Sequence, residues 1–565
     1  MSGKIQDSTR HHEVGHEREV IDLTKDLAGH YQDNLFDPTD EELRTLRRVS
    51  DKIPFRAFLV IIIELCERFT YYGLTAVFQD YVQYGPDSEI PGGLDLGQIG
   101  ATALSNYFSF WYIIDRFPRT FQAYVTPIFG AIIADQYLGK YKTICYFAII
   151  YFIGQLILLG TSVPASIRKG YSLWGYIVAT ITIGLGAGGI KSNVSPLVAE
   201  QAPSIKRYIR IEPDGERVIV DPAITTQRIF MYFYLGINIG SLSALATPNL
   251  RAHVGYWAAF LLPTCAFILG SIALVMGRRL YIVRPPEGSV IVKAFQALWV
   301  AAWNGFDMDA AKPSRELAEY FYSTHFIGPA IIRLRTYFNP FNITVTFENL
   351  ISQAGEMELG NTPNDLLINI DPIALVIFIP IFDRFLYPYL RRIGIRFLPI
   401  TRITYGFFSA SIGMAYTAIL EHVIYSTGPC YIHLTESCPQ NNIGVWTQSG
   451  IYVLIAISEI FTSITGLEYA FTKAGPSMKS FVMSLYLFTM AGGSLISLAL
   501  SYVSSPPKIL WMYTAISIVA FAGGIAFWIC FRHLNEKEDD MNALEASSIQ
   551  PMHITHEKST SNAAL

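Results

Sequence analysis

The sequence predicts an all-α membrane protein, and three observations carry that reading. The 565 residues are 51% hydrophobic and only 16% charged, with a mean hydropathy of +0.32. Apolar runs of about 20 residues, the length of a membrane-crossing helix, recur along the chain. Basic residues collect in alternate loops. Such a composition excludes a soluble enzyme. The net charge of −4 offers no electrostatic footprint for nucleic acid, so the lipid bilayer is an expected partner and nucleic acid is not.

Candidate spans fall near 55–84, 101–134, 143–163, 173–199, 225–248, 256–283, 369–390, 399–424, 448–472, 479–503 and 508–531. Lys140 and Lys142, then Lys206, Arg207, Arg210 and Arg217, then Arg278, Arg279 and Arg284, then Arg391, Arg392 and Arg396 fall on one side. The loops 85–98 and 351–368 carry Asp and Glu but no Lys or Arg. By the positive-inside rule both termini are cytoplasmic. Loop parity then demands one more crossing within 320–350, although Arg333, Arg335 and Asn339-Pro340 make it a poor helix.

This gives a tail at 1–50 without a cleavable signal, a first helical half at 51–283, a cytoplasmic linker at 284–325, a second half at 326–531 and a tail at 532–565. The tail after Phe531 reads as solvated and disordered. Residues 208–220 alternate around Asp214-Gly215 and predict a hairpin. Cys430 and Cys438 share a polar loop, and a disulfide between them is an option if that loop is extracellular.

Ionisable groups inside apolar runs point to the chemistry. Glu64, Glu67 and Arg68 stand at i, i+3 and i+4 of the first span, with Phe58–Ile63 before them and Leu74–Phe78 after. Each charge costs roughly 2.5–3.5 kcal/mol at the bilayer centre, which argues for a face turned to a bundle or a wet cavity. A proton can replace Arg68 as partner of either carboxylate. Lys191 follows the glycine ladder Gly184–Gly189, where it either enters a cavity or snorkels to the membrane surface. Asn238 lies among small residues and can hydrogen-bond a ligand or a neighbouring helix. Glu459, near the middle of a late span, calls for a cation or for a proton. Gly130–Ile144 joins two spans through small residues, Asp135, a Gly turn and basic residues.

The string Glu64-Leu65-Cys66-Glu67-Arg68-Phe69-Thr70-Tyr71-Tyr72-Gly73 resembles the E-x-x-E-R-F-x-Y-Y-G motif of the proton-dependent oligopeptide transporter family, a branch of the major facilitator carriers. Gly130–Ile144, Phe233–Ser241 and Ser458–Ala470 resemble further signatures of that family, and Asp371–Leu375 resembles its fungal branch. The resemblance implies twelve helices in two six-helix bundles and proton-coupled uptake of di- and tripeptides at the plasma membrane. Arg68 and Lys191 would hold the substrate carboxylate, Glu459 its amine and Asn238 the peptide bond, while Tyr71, Tyr72 and Tyr124 would line the pocket. Glu64 and Glu67 would exchange the proton with Arg68. No cofactor or metal and no enzymatic activity is implied, and a monomer is expected.

The chain departs from its relatives in three places. Asn106 stands where mammalian members carry a His, and Thr75 where some bacterial members carry an Arg. Residues 112–123, with Asp115, Arg116, Pro118 and Arg119, interrupt the second span, either as an extruded loop in a broken helix or as a stretch foreign to the transcript. The seventh span is poorly formed. A carrier of nitrate or another small solute on the same scaffold, and a non-transporting receptor or inactive paralogue, are the alternatives; Lys191 and Glu459 together favour a zwitterion over an anion.

Overall fold

The computed structural model describes residues 38–86, 92–96, 121–202, 206–286, 350, 353–354, 356–358, 364–429, 431, 441–474, 479–480, 482–484, 486–487 and 507–538. The interrupted second span at 101–120 with Asn106, the crossing expected within 320–350, most of 479–503 and both Cys430 and Cys438 lie outside the described residues. The chain divides into two compact units, residues 1–52 with 204–225, and residues 53–203 with 226–565.

In the smaller unit, Thr39 caps helix α1 (Asp40–Thr45). Its hydroxyl accepts the Glu42 amide at 3.4 Å, and the Glu42 carboxylate takes the Thr39 N–H at 2.9 Å, so two orphan donors are satisfied reciprocally. Strands β2 (Tyr208–Ile211) and β3 (Arg217–Val220) form the expected antiparallel hairpin, with Gly215 at φ +85°, a conformation that favours glycine. Strand β1 (Arg48–Val49) adds to β3 in parallel, which the alternation of 208–220 gives no sign of. Ion pairs ring the sheet: Glu42 with Arg217 at 2.6 Å, Arg47 with Glu216 at 2.6 Å, and Asp221 with Arg48 at 3.4 Å and Arg207 at 3.2 Å. The stretch 38–50, read from sequence as the end of a tail, thus carries a helix and a strand.

In the larger unit, α2 (Phe55–Thr75) starts after Pro54 and stops at Ala76. The chain restarts as α3 (Phe78–Gln83), so the run 55–84 is two helices. Then come α4 (Phe121–Ile133), α5 (Lys140–Thr161), α6 (Ser172–Ala199), α7 (Pro222–Ser241), α8 (Ser243–His253) and α9 (Tyr256–Met276). The second half has α10 (Ile370–Ile381), α11 (Tyr387–Arg392), α12 (Pro399–Ser426), α13 (Ser449–Glu459), α14 (Thr465–Thr472) and α15 (Lys508–Glu536). Among the described residues eight helical segments are long and apolar enough to cross a membrane. Single π turns interrupt two of them, at Phe382–Leu386 and Ile460–Ile464, and a third, Ala134–Leu138, closes α4.

One apolar cluster runs through both halves, from Val60 and Tyr151 to Leu375 and Ala456. Glycines set the closest approaches. A Cβ on Gly130 would stand 2.7 Å from Gly189 Cα, and one on Gly240 would stand 2.7 Å from Leu65 O and 2.8 Å from Arg68 Cβ. At the C-terminus the reading of the tail as disordered is corrected for residues 532–538. Helix α15 continues to Glu536 because Asn535 accepts the Ile400 N–H and donates to Thr401 Oγ1 at 3.0 Å, and Glu538 pairs with Lys473 at 2.8 Å.

Two outcomes follow. Gly240→Val forces α7 away from α2 and should cost about 1–3 kcal/mol, read as a lower thermal midpoint of the purified protein in detergent, whereas Gly160→Ala, which meets nothing within 4 Å, should not lower it. The hydrogen bonds from Thr39, reinforced by Arg217, hold the Glu42 carboxyl below its ordinary value of 4.5. Its contribution is therefore complete above the ordinary value and is lost as pH falls through the lowered one. Glu42→Gln should reduce hydrogen-exchange protection of the Ile219 and Asp221 amides at neutral pH and have no effect once wild-type Glu42 is protonated.

Candidate functional site

The α2 charges pair as their helical spacing predicts. Arg68 Nε donates to Glu64 Oε1 at 2.9 Å, and Nη2 stands 2.7 Å from Glu67 Oε2. That second contact is electrostatic rather than a formed hydrogen bond, because its angle is poor. Glu67 Oε1, Glu67 Oε2, Glu64 Oε2 and Arg68 Nη2 all lack a hydrogen-bond partner among the described residues. All three side chains are buried. The Arg68 guanidinium lies 5.8 Å over the Tyr71 ring, and Tyr71 meets Tyr72 edge-on at 5.5 Å. The carboxylates thus hold the guanidinium without using up their acceptor capacity, which leaves room for a proton or for another anion on Arg68.

Lys191 projects from α6 into the electrostatic field of Glu64, Glu67 and Arg68. Its helix is fastened by Asn193, which donates to Gly189 O at 2.8 Å and to Gly130 O at 3.3 Å, where two glycines let α4 and α6 touch. Asn238 Nδ2 donates back to Tyr234 O in its own helix at 2.9 Å. One amide proton is thereby used within α7, so of the two roles read from sequence neither ligand contact nor a bridge to a neighbouring helix is made by this bond. Tyr124 belongs to α4, and its side chain lies outside the described residues.

Glu459 is the last residue of α13, directly before the Ile460–Ile464 π turn. Such turns concentrate at functional sites because they re-aim side chains. Tyr234 in α7 donates its hydroxyl to Glu459 Oε2 at 2.7 Å, joining the first half to the second. Tyr72 interacts electrostatically with both Arg68 and Glu459. A cationic end around Arg68 and Lys191 and an anionic end at Glu459 therefore share one tyrosine-lined interior, suited to a short molecule with opposite charges at its two ends.

Sequence reading assigned no role to six participants. Tyr234 stands inside the Phe233–Ser241 signature, but as one of many tyrosines in apolar runs it was given no role of its own. Arg228 pairs with Asp383 at 2.9 Å across the halves, accompanied by the Phe230–Phe471 edge contact at 5.7 Å. Arg402 pairs with buried Glu468 at 2.9 Å within the second half. Asp383, Arg402 and Glu468 all lie within predicted spans, so the rule that singled out Arg68 was available for them. Asp371, buried at the start of α10, was noticed only as part of a motif.

The family model described as PTR2, POT family, matches residues 141–338 and 346–531. "Peptide transporter PTR_A" of Candidozyma auris is 47% identical over 529 residues, covering 91% of this chain and 87% of the relative. "Peptide transporter PTR2" of Saccharomyces cerevisiae is 45% identical over 516 residues, covering 90% and 84%. The solved POT family transporter PepTSo has a TM-score of 0.55 at 21% identity, covering 86% of this chain and 99% of that one. A POT family transporter in complex with a thioalcohol-conjugated peptide gives 0.57 at 16%, covering 85% and 96%. These structures share the fold of this chain.

Removing one member of a buried ion cluster leaves uncompensated charge. Arg68→Met should cost about 3–5 kcal/mol of stability, and Glu67→Gln distinctly less; thermal unfolding in detergent at neutral pH measures both.

Proposed function

The chain belongs to the POT family and is a multi-pass membrane protein of the transporter class, and on that premise we propose that it carries di- and tripeptides into the cell together with protons, by alternating access of one interior site. The observation that carries the reading is Arg68, buried between Glu64 and Glu67 with unused acceptor atoms around it. The sequence asymmetry of Lys and Arg supports cytoplasmic termini, and uptake into the cell would put the carrier in the plasma membrane.

In this mechanism a proton arriving on Glu64 or Glu67 removes one of the charges that hold Arg68. The guanidinium then turns to the substrate carboxylate, helped by Lys191. The substrate ammonium goes to Glu459 and displaces the Tyr234 hydroxyl, which now holds that carboxylate at 2.7 Å. Asn238 offers the peptide bond its remaining amide proton and its carbonyl oxygen, and Tyr71, Tyr72 and Tyr124 wall the pocket. A substrate that binds the first half by one end and the second half by the other gains most when the halves close, and that differential affinity is what shifts the conformational equilibrium. Arg228 and Asp383 form a second link between the halves, which must part when the Arg228 end opens. The membrane potential adds about 2.3 kcal/mol per translocated charge per 100 mV.

Uptake of a labelled dipeptide by cells lacking their own carrier tests the reading. Glu67→Gln should flatten the dependence of uptake on external pH. Glu459→Gln should raise KM about tenfold or more, the size of a lost hydrogen bond to a charged group. A parent that transports while neither variant differs from it would remove these residues from the site.

A further inference from the structure

A further pair of carboxylates, apart from those around Arg68, is enclosed within the second half. Glu421, in α12, is 0% exposed, and Gln353 Nε2 donates to its Oε2 at 2.7 Å. Gln448 Nε2 donates in turn to Gln353 Oε1 at 2.9 Å, so the two amides form a chain of donors aimed at Glu421. Tyr425, one turn further along α12, offers the same carboxylate its hydroxyl. Glu356 faces Glu421 from the segment 353–358 and has no such support: its Oε2 is sealed without a hydrogen-bond partner among the described residues. Tyr513 of α15 is 0% exposed, its hydroxyl likewise finds no partner among the described residues, and both carboxylates lie within its electrostatic reach. Tyr425 and Tyr513 are the other titratable groups around the pair. Among the described residues no Lys, Arg or His faces either carboxylate, and His422, next to Glu421 in sequence, is exposed.

Two carboxylates that face each other away from water do not both stay ionised unless a cation joins them. The donors sort the pair. Hydrogen bonds to Glu421 favour its charged form, and Glu356, whose Oε2 receives none, is the member that keeps a proton. We infer that Glu356 is a proton-binding site, separate from the Arg68 cluster, and that its proton latches the segment 353–358 onto α12. A metal ion fits less well, because among the described residues no group of three His, Cys, Asp or Glu could hold one. The backbone extends the latch: Glu356 O accepts the Asn441 N–H at 2.9 Å, where β4 (Met357–Glu358) pairs in parallel with β5 (Asn441–Gly444). Burial, and then the charge of Glu421, push the Glu356 carboxyl from its ordinary 4.5 up to about 8. The latched segment is therefore most stable below the ordinary value and weakens as pH rises from there through the raised one. The loop 351–368 carries no Lys or Arg, so the cytoplasmic termini proposed above would turn this latch toward the pH outside the cell.

The test is hydrogen exchange of the Asn441 amide in the purified full chain as a function of pH. Between about pH 6 and about pH 7 that exchange should quicken about tenfold beyond the ordinary chemistry of an amide, the response to a single proton. Glu356→Gln, which keeps the shape and cannot ionise, should abolish the excess. Glu421→Gln should end it at a lower pH, because one of the two causes of the raised Glu356 value is gone, and Glu358→Gln, at an exposed position, should leave it as in wild type. Wild-type exchange that follows amide chemistry alone would overturn the inference without recourse to any variant, as would an excess that survives in Glu356→Gln. Added calcium that restores protection above the raised value would show that a metal ion is what the carboxylates share, and would overturn it as well. None of these readouts involves transport, so the carrier reading stands or falls separately, by peptide uptake.

Discussion

The constraint on which the molecule depends is the expense of ionised groups at bilayer depth. Arg68, Glu64 and Glu67 are each buried, and none would be tolerable alone. Held together, they offset much of one another's desolvation, yet the angle between Arg68 and Glu67 leaves hydrogen-bonding capacity unspent. A fully satisfied cluster would act as a structural staple. This one is partly satisfied, with atoms of Glu64, Glu67 and Arg68 left without a hydrogen-bond partner among the described residues. Arg402 and Glu468 provide the contrast within the same chain: two forked contacts at 2.9 and 3.4 Å suit a pair whose work is to hold α12 against α14.

The small residues and the charges are parts of one arrangement. Gly240 brings α7 so close to α2 that Leu65 O and Arg68 Cβ occupy the space of a side chain, which fixes where Arg68 begins. Further along α7, Tyr234 reaches Glu459 in the other half, and Arg228 reaches Asp383. Helix α7 therefore touches the Arg68 cluster through its glycine face and the opposite half through its polar and charged residues. One helix thus links the surroundings of Arg68 to the second half.

Much of this was legible in the sequence. The apolar runs gave most spans, and the Glu64, Glu67 and Arg68 spacing gave the pairing, because helical periodicity and the cost of charge in lipid are local properties of the chain. The end of α15 was misjudged because Asn535 and Glu538 look solvated in sequence and gain partners only from α12 and the end of α14. The break at Ala76 lies in an uninterrupted apolar run with no proline to announce it. Tyr234 and the pairing of Arg228 with Asp383 were hidden for a related reason: such contacts join residues 225 and 155 positions apart, and only the folded chain chooses between possible partners.

The π turns at Ala134–Leu138 and Phe382–Leu386 share the pattern Asp-x-x-Leu, with Asp135 and Asp383 each second in its turn. A π turn is an α-helix carrying one surplus residue, and one residue is worth about 100° of helical phase. The surplus therefore works as a rotational spacer, letting residues on its two sides present faces that a regular helix could not present together. Excising one residue from Phe382–Leu386 would swing α11, which continues directly from it, to a new azimuth, whereas at Ala134–Leu138 the helix ends on Gly139 and only its last turn would be re-aimed.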